Sequence, residues 1–282
     1  MNDGPTAAAE LSPDDPLVQP FTGPSPYDDY VRATLLNTLQ KPLTEAAVEM
    51  GFLVTTQVME LWFTLIAHEW RAAREAFAKD RLPDAMDALL RSRHAAGALN
   101  CSWLPIAGLT PAQFNELRPA FGKASGFQSA MYRHLEFLLG EKSAALLRSH
   151  HGDPVVYEGL REAYHEPSLY DEVLRFLHRR GLPVPEVVRE RDVTTPYTAH
   201  QGVVAAWRHV YAAAEPHPLL ALAELLTDLA ELVTRWRFDH VMVVRRAMGT
   251  KGGTAGSAGL HWLEQRATRP VFPELWTVRG DV

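Results

Sequence analysis

The feature that most constrains this chain is a row of ten side chains near its C-terminal end. Leu222, Leu225, Leu226, Leu229, Val233, Trp236, His240, Val243, Val244 and Ala247 recur at three- and four-residue spacing, which is the repeat of one helix face. A helix from about 218 to 248, read as the last and the longest of the chain, runs roughly 45 Å, long enough to cross a domain. Every member of the row is apolar except His240, whose ring must point inward among Trp236, Val243 and Val244.

Helical patterning continues upstream. Phe52, Thr56, Met59, Phe63 and Ile66 share a face of another long helix, and a further helix covers roughly 83 to 104. Thr110-Pro111 has the form of a threonine N-cap with proline in the first turn. Ser125-Gly-Phe-Gln128 has capping-box spacing ahead of an apolar run ending at Gly140. Ser168 to Asp171 repeats the signal, and its helix stops at Arg180-Gly181. No strand alternation, hairpin signal or internal repeat competes. The pattern predicts an all-α bundle of long helices. Residues 1–26, rich in Pro, Asp and Gly, read as a mobile arm, and 27–282 as a single domain.

Composition narrows the partners. A net charge of −6 without a Lys/Arg block argues against nucleic acid. The single Cys101 excludes an internal disulfide framework and a cysteine-rich zinc site, and fits a reducing compartment. The N-terminus lacks the basic and apolar regions of a secretory signal. The apolar tract Leu219 to Val233 is interrupted by Glu224, Asp228 and Glu231, so no membrane span is expected. A soluble, cytoplasmic protein is the expectation.

Common catalytic motifs fail. His68-Glu69 opens like a zinc-protease helix, but alanine stands at position 72. The segment 249–259 holds five glycines in eleven residues, yet it follows a helix and lacks the Gly-Lys-Ser/Thr ending of a phosphate loop. His150-His151 lies in a polar stretch and reads as a solvated loop. His240 has two readings: a core histidine bonded to a carbonyl, or the single axial ligand of a haem, which needs one neutral imidazole on a rigid helix facing an apolar gap. The glycine segment either ends the helix as a flexible lid or lets Gly252, Gly253 and Gly256 approach a ligand while Thr250, Thr254 and Ser257 offer hydroxyls.

Several long motifs, in order, resemble the tryptophan 2,3-dioxygenase superfamily of haem-dependent aromatic oxygenases. They are "YDDYVRATLL", "FLVTTQVMELWF", "FNELRPAFGKASGFQS", "EPSLYDEVLRFL" and "WRFDHVMVVRRAMGTKGGTAGSAG". The resemblance implies that His240 is the axial ligand of a haem b iron. It implies that Arg118 grips an amino-acid carboxylate bidentately, and that Thr254 holds the ammonium and carboxylate. Phe52 and Phe114 become walls for an aromatic ring. Tyr27 and Tyr30 reach a neighbouring subunit's pocket in a homotetramer, and the substrates are O2 and an aromatic amino acid.

The chain departs from the family at Thr56, where a distal histidine is usual. A threonine hydroxyl is smaller than imidazole and does not titrate in the working range. Taken with Thr56 at a catalytic position, the resemblance implies a haem-dependent oxygenase acting at the indole C2/C3 of L-tryptophan or a substituted tryptophan, with a natural-product branch that acts on β-methyltryptophan and inserts one oxygen atom to give an oxindole. The alternative is the ordinary two-atom dioxygenase forming N-formylkynurenine. A tyrosine hydroxylase and a non-catalytic haem sensor are weaker readings, since a sensor has no need of Arg118 with Thr254.

Overall fold

A computed structural model describes residues 12, 20–213, 215, 217–249, 251 and 259–281. The backbone divides into two compact units, one ending at Lys41 and one starting at Pro42. The first carries two short helices, α1 (Pro26–Val31) and α2 (Ala33–Leu36). Ser25 caps α1 by accepting from the Asp28 amide at 3.1 Å.

The second unit holds α3 (Glu49–Ala78), α4 (Leu82–Cys101), α5 (Pro111–Phe121), α6 (Ala130–Leu138), α7 (Ala144–Arg148), α8 (Pro154–His165), α9 (Leu169–Arg179), α10 (Glu186–Arg189), α11 (Gln201–Tyr211), α12 (Leu220–Met248), α13 (Leu260–Ala267) and α14 (Pro273–Val278). All regular structure among the described residues is helical, as the periodicity predicts. The long C-terminal helix is α12, with 29 residues. Two differences from the sequence reading stand out. The longest helix is α3, at 30 residues, and two more helices follow α12.

By length and composition α3 could cross a membrane; the interrupted tract after Leu219 is not the most apolar segment. Its apolar content has a local use. Met59, Phe63, Ile66, Trp70, Ala73 and Phe77 are buried where α3 packs on α4, α6 and α9. The facing side of α4 is small: Ala85, Ala88, Ser92, Ala95 and Ala96 are all buried, which lets two helix backbones approach closely. Trp70 Nε1 donates to Ser92 Oγ at 3.1 Å across that seam. Asn100 ties α4 to α12 by donating to the Leu232 carbonyl at 3.1 Å.

The capping signals mark real boundaries, with one displacement. Thr110 and Gln113 form a reciprocal box on α5, and Ser168 and Asp171 form one on α9. The box at Ser125 and Gln128 closes only a 3-10 turn, Gly126–Gln128; α6 is capped by Ser129 instead. Gly140 ends that segment at φ 84°, where an added Cβ would lie 3.1 Å from Tyr197 Cβ. A left-handed turn against a neighbouring chain segment admits only glycine there.

Candidate active site

The apolar faces of α3 and α12 are buried along one part of their length and line a cavity along another. On α12, Leu222, Leu225, Leu226 and Leu229 are buried, whereas His240, Val243 and Val244 are half-buried and face open space. On α3 the change falls between Met59 and Thr56. The space between is a cavity of about 410 Å³, within the roughly 300–1,000 Å³ usual for ligand and cofactor sites.

Aromatic rings make up much of its wall. The His240 imidazole stacks on Trp103, with centroids 4.9 Å apart and planes 22° from parallel. Trp236 sits 5.7 Å from His240 and contacts Phe63 edge-on at 5.4 Å. Tyr132 lies 5.0 Å from Trp236. Near the start of α3, Phe52 packs on Phe121 at 4.8 Å, and Phe121 on Phe114 at 5.8 Å. Burial among these rings lowers the His240 pKa to about 4, because charging an imidazole there forfeits hydration that nothing nearby replaces. At neutral pH His240 is therefore an uncharged ring, the form that binds a metal.

The remainder of the wall is polar. Arg133, Glu136, Arg237 and Arg266 line it, and all four are buried. Glu136 pairs with both Arg133 and Arg266. Glu141 pairs with Arg237 and, at 3.1 Å, with Arg266. Arg237 also donates to Tyr132 Oη at 3.2 Å. Glu60, half-buried on α3, faces the same space, and burial raises its pKa.

The structure brings together Phe52, Thr56, Phe114 and His240 in one cavity wall. The Thr56 hydroxyl donates to the carbonyls of Phe52 and Leu53, both at 2.9 Å, so its proton is engaged within α3. Arg118 is half-buried on α5, four residues beyond Phe114, and is not among the residues lining the cavity. Tyr27 and Tyr30 lie in the first unit, 67% and 91% exposed. Thr254, with Thr250, Gly252, Gly253, Gly256 and Ser257, falls outside the described residues. His150 corrects the solvated-loop reading: its Nε2 is buried, and burial lowers its pKa. Only His151 is exposed, and it stacks on Tyr157 at 4.0 Å.

Sequence reasoning missed Trp103, Phe121, Tyr132, Arg133, Glu136 and Arg266. For Arg133 and Glu136 a signal existed, an i,i+3 opposite-charge pair within the largely apolar run of α6. Trp103 sits in the turns after α4, where no periodicity assigns a face.

The donor set suits a haem. It offers one uncharged imidazole and aromatic walls, and among the described residues no cluster of three or more His, Cys, Asp or Glu side chains forms a protein-only metal site. Buried donors without hydrogen-bond partners among the described residues, Trp103 Nε1, Trp236 Nε1 and Arg133 Nε, leave the wall chemically incomplete, since such groups are normally satisfied.

Comparison with known proteins assigns the family. The sequence profile of tryptophan 2,3-dioxygenase matches residues 15–217 and 209–282. A tryptophan 2,3-dioxygenase of Bradyrhizobium diazoefficiens is 42% identical over 254 residues, 90% of this chain and 91% of that one. That of Bordetella parapertussis is 40% identical over 284 residues, covering both chains completely. That of Pseudomonas aeruginosa is 40% identical over 263 residues, 93% and 91% of the two chains. With the profile matched along nearly its whole length and relatives this similar end to end, the chain belongs to the tryptophan 2,3-dioxygenase family and is an oxidoreductase of that family.

Proposed function

We propose that this protein is a haem-dependent dioxygenase that inserts both atoms of O2 across the indole C2–C3 bond of L-tryptophan, giving N-formylkynurenine. The observation that carries the reading is His240, uncharged and stacked on Trp103 in the wall of an aromatic cavity. It stands in a chain 40% identical, end to end, to a tryptophan 2,3-dioxygenase. His240 would hold the haem iron, and the bound haem supplies the centre where O2 is activated. Phe52, Phe114 and Phe121 give an apolar wall against which an indole ring packs and from which water is excluded. Arg118 and Thr254 are assigned the carboxylate and ammonium of the amino acid, a pairing for which a planar guanidinium is well shaped. Tyr27 and Tyr30 are assigned to the pocket of a neighbouring subunit in a homotetramer. The substrates are free small molecules, and the cytoplasm is the proposed compartment.

Thr56 favours a second reading, the one-atom insertion into a substituted tryptophan that yields an oxindole. Its hydroxyl proton is engaged by its own helix, so its influence on the cavity is one of shape rather than proton transfer. The names of the relatives favour the two-atom outcome. Reaction under 18O2 separates the two. The expected product from tryptophan is N-formylkynurenine carrying two labels. A singly labelled product, or faster turnover of β-methyltryptophan than of tryptophan, would instead establish the oxindole reading. In the same preparation His240→Ala should remain helical but lose its haem absorbance; an unchanged spectrum would remove His240 from the iron.

A further inference from the structure

We infer that Arg71, His134 and His150 form a binding site for a small tetrahedral oxyanion of the inorganic phosphate class, where α3, α6 and the turn between α7 and α8 meet. None of the three lines the cavity, and the site is independent of the function proposed above.

Three groups without partners come from three elements. His134 is half-buried on α6, and its Nδ1 is shielded from water with no hydrogen-bond partner among the described residues. His150, in the turn between α7 and α8, has its Nε2 shielded and unpartnered in the same way. A small apolar cluster of Phe137, Leu147 and Leu160 holds these elements together. His134 stands three residues before Phe137, and His150 three residues after Leu147. The Nε2 edge of His134 faces α8, 3.9 Å from where a Cβ on Gly159 would lie. Arg71 is half-buried on α3, which packs on α6. Its guanidinium makes no hydrogen bond or ion pair among the described residues. Polar groups taken out of water are normally satisfied, and three in one place point to a ligand.

The local charges leave Arg71 over. Glu166 pairs with Arg74 at 2.7 Å, and Asp171 is gripped at 2.7 and 3.0 Å by Arg191. Lys142 donates to the carbonyls of Ala163 and Glu166 at 2.6 and 2.8 Å, which covers the end of α8. Both carboxylates are therefore engaged by other arginines. Burial first, and then the charge of Arg74, lowers the Arg71 pKa, as expected of a desolvated cation beside another.

The same field selects the sign of the ligand. Burial, and after it the charge of Arg71 at His134 and of Arg133 at His150, keeps both imidazoles below their ordinary pKa. Two uncharged imidazoles could serve a metal ion, but the guanidiniums that oppose a proton there oppose a metal cation equally. An anion is attracted, and each ring can offer it an N–H. Donors arriving from three elements surround a ligand from several sides. That suits the oxygens of a tetrahedral anion, whereas a planar carboxylate is satisfied by one guanidinium edge.

The test is calorimetric titration of the full-length protein with inorganic phosphate, and with acetate at matched ionic strength, in phosphate-free buffer. Wild type should bind phosphate saturably and about 10-fold or more tighter than acetate. Arg71→Gln should weaken phosphate about 10-fold or more, the scale of a charge-assisted contact. His134→Ala and His150→Ala should each weaken it several-fold, with helical circular dichroism retained. Arg148→Gln, which removes an exposed charge from neighbouring α7, should leave the affinity unchanged. In imidazole proton–nitrogen spectra of wild type, phosphate should shift the ring signals of His134 and His150, identified by their loss in the two variants. Absence of saturable phosphate binding to wild type, a measurement that needs no variant, overturns the site. So does acetate bound as tightly as phosphate. Equal damage from Arg148→Gln and Arg71→Gln would show an ion answering only to net charge, and would also overturn it. A zinc titration tests the opposite sign: saturable zinc binding that both histidine variants lose, without phosphate binding, assigns the pair to a metal and sinks the inference.

Discussion

At the scale of single residues, burial sets which histidines carry charge. His134 on α6 is half-buried, and its Nδ1 has no hydrogen-bond partner among the described residues. Burial, and after it the charge of Arg71, lowers its pKa to about 4. Its folded pKa is thus below the unfolded value near 6.5, and the folded state favours the neutral ring. As pH falls from 6.5 towards 4 the unfolded chain takes up a proton that the folded chain refuses, so stability declines across that window. The decline attributable to one such group is at most about 1.4 kcal/mol per pH unit. Urea unfolding of the apoprotein at pH 7 and pH 5 should show His134→Gln losing about 1–2 kcal/mol less than wild type between the two. Equal losses would mean that His134 does not titrate as its surroundings imply. Thr56 shows a related limit of reading residue types alone. A hydroxyl at that position is visible in the sequence, but its engagement by the Phe52 and Leu53 carbonyls appears only once α3 is built.

At the scale of elements, short polar signals position the site. The Thr110 hydroxyl accepts from the Gln113 amide at 3.3 Å, and Gln113 Oε1 accepts from the Thr110 amide at 3.0 Å. The box fixes where α5 starts and so aims Phe114 into the cavity, with Arg118 one turn on. Thr110→Ala should cost about 1 kcal/mol in urea unfolding, the usual worth of an N-cap. It should also weaken L-tryptophan binding a few-fold while leaving haem content intact. Stability and binding both unchanged would show that α5 is held by packing alone. The cap was legible because local chemistry suffices for it. Ser125 was legible in the same way and still misplaced the next helix, because a box followed by a proper N-cap four residues later closes only a turn.

At the scale of the whole second unit, the C-terminal helix is anchored by a buried carboxylate. Glu274 on α14 accepts from Tyr197 Oη at 2.6 Å, the His200 amide at 2.9 Å and Tyr170 Oη at 3.1 Å. Tyr170 in turn accepts from Trp207 Nε1 at 3.0 Å. One side chain therefore joins α14 to α9, to α11 and to the segment preceding α11. Both tyrosine pKa values are raised, by burial first and by the charge of Glu274 next, which keeps them protonated as donors. Glu274→Ala strands these donors and should cost about 3–5 kcal/mol, with Glu274→Gln milder. Thermal unfolding checks this; a shift as small as that of an exposed substitution would show that packing holds α14 without the carboxylate.

The sequence by itself determined the helical class, the extents of α9 and α12, the start of α5 and the inward face of α12 with His240 on it. Each of these is set by neighbours within a few residues, through the 3.6-residue repeat and the bonding of a cap. Tertiary structure alone decided that the faces of α3 and α12 separate into a cavity beyond Met59 and Trp236, and that Trp103 stacks on the imidazole. It also joined Arg133 and Glu136 of α6 to Arg237 of α12 and Arg266 of α13, an assembly spanning more than 130 residues of chain in which the Arg266–Glu136 pair alone has |i−j| of 130. Beyond the i,i+3 spacing of Arg133 and Glu136, such a network has no local signature. Arginines and glutamates at those positions would serve equally well on a solvated surface, and only the packing of three helices removes the water that makes their charges consequential.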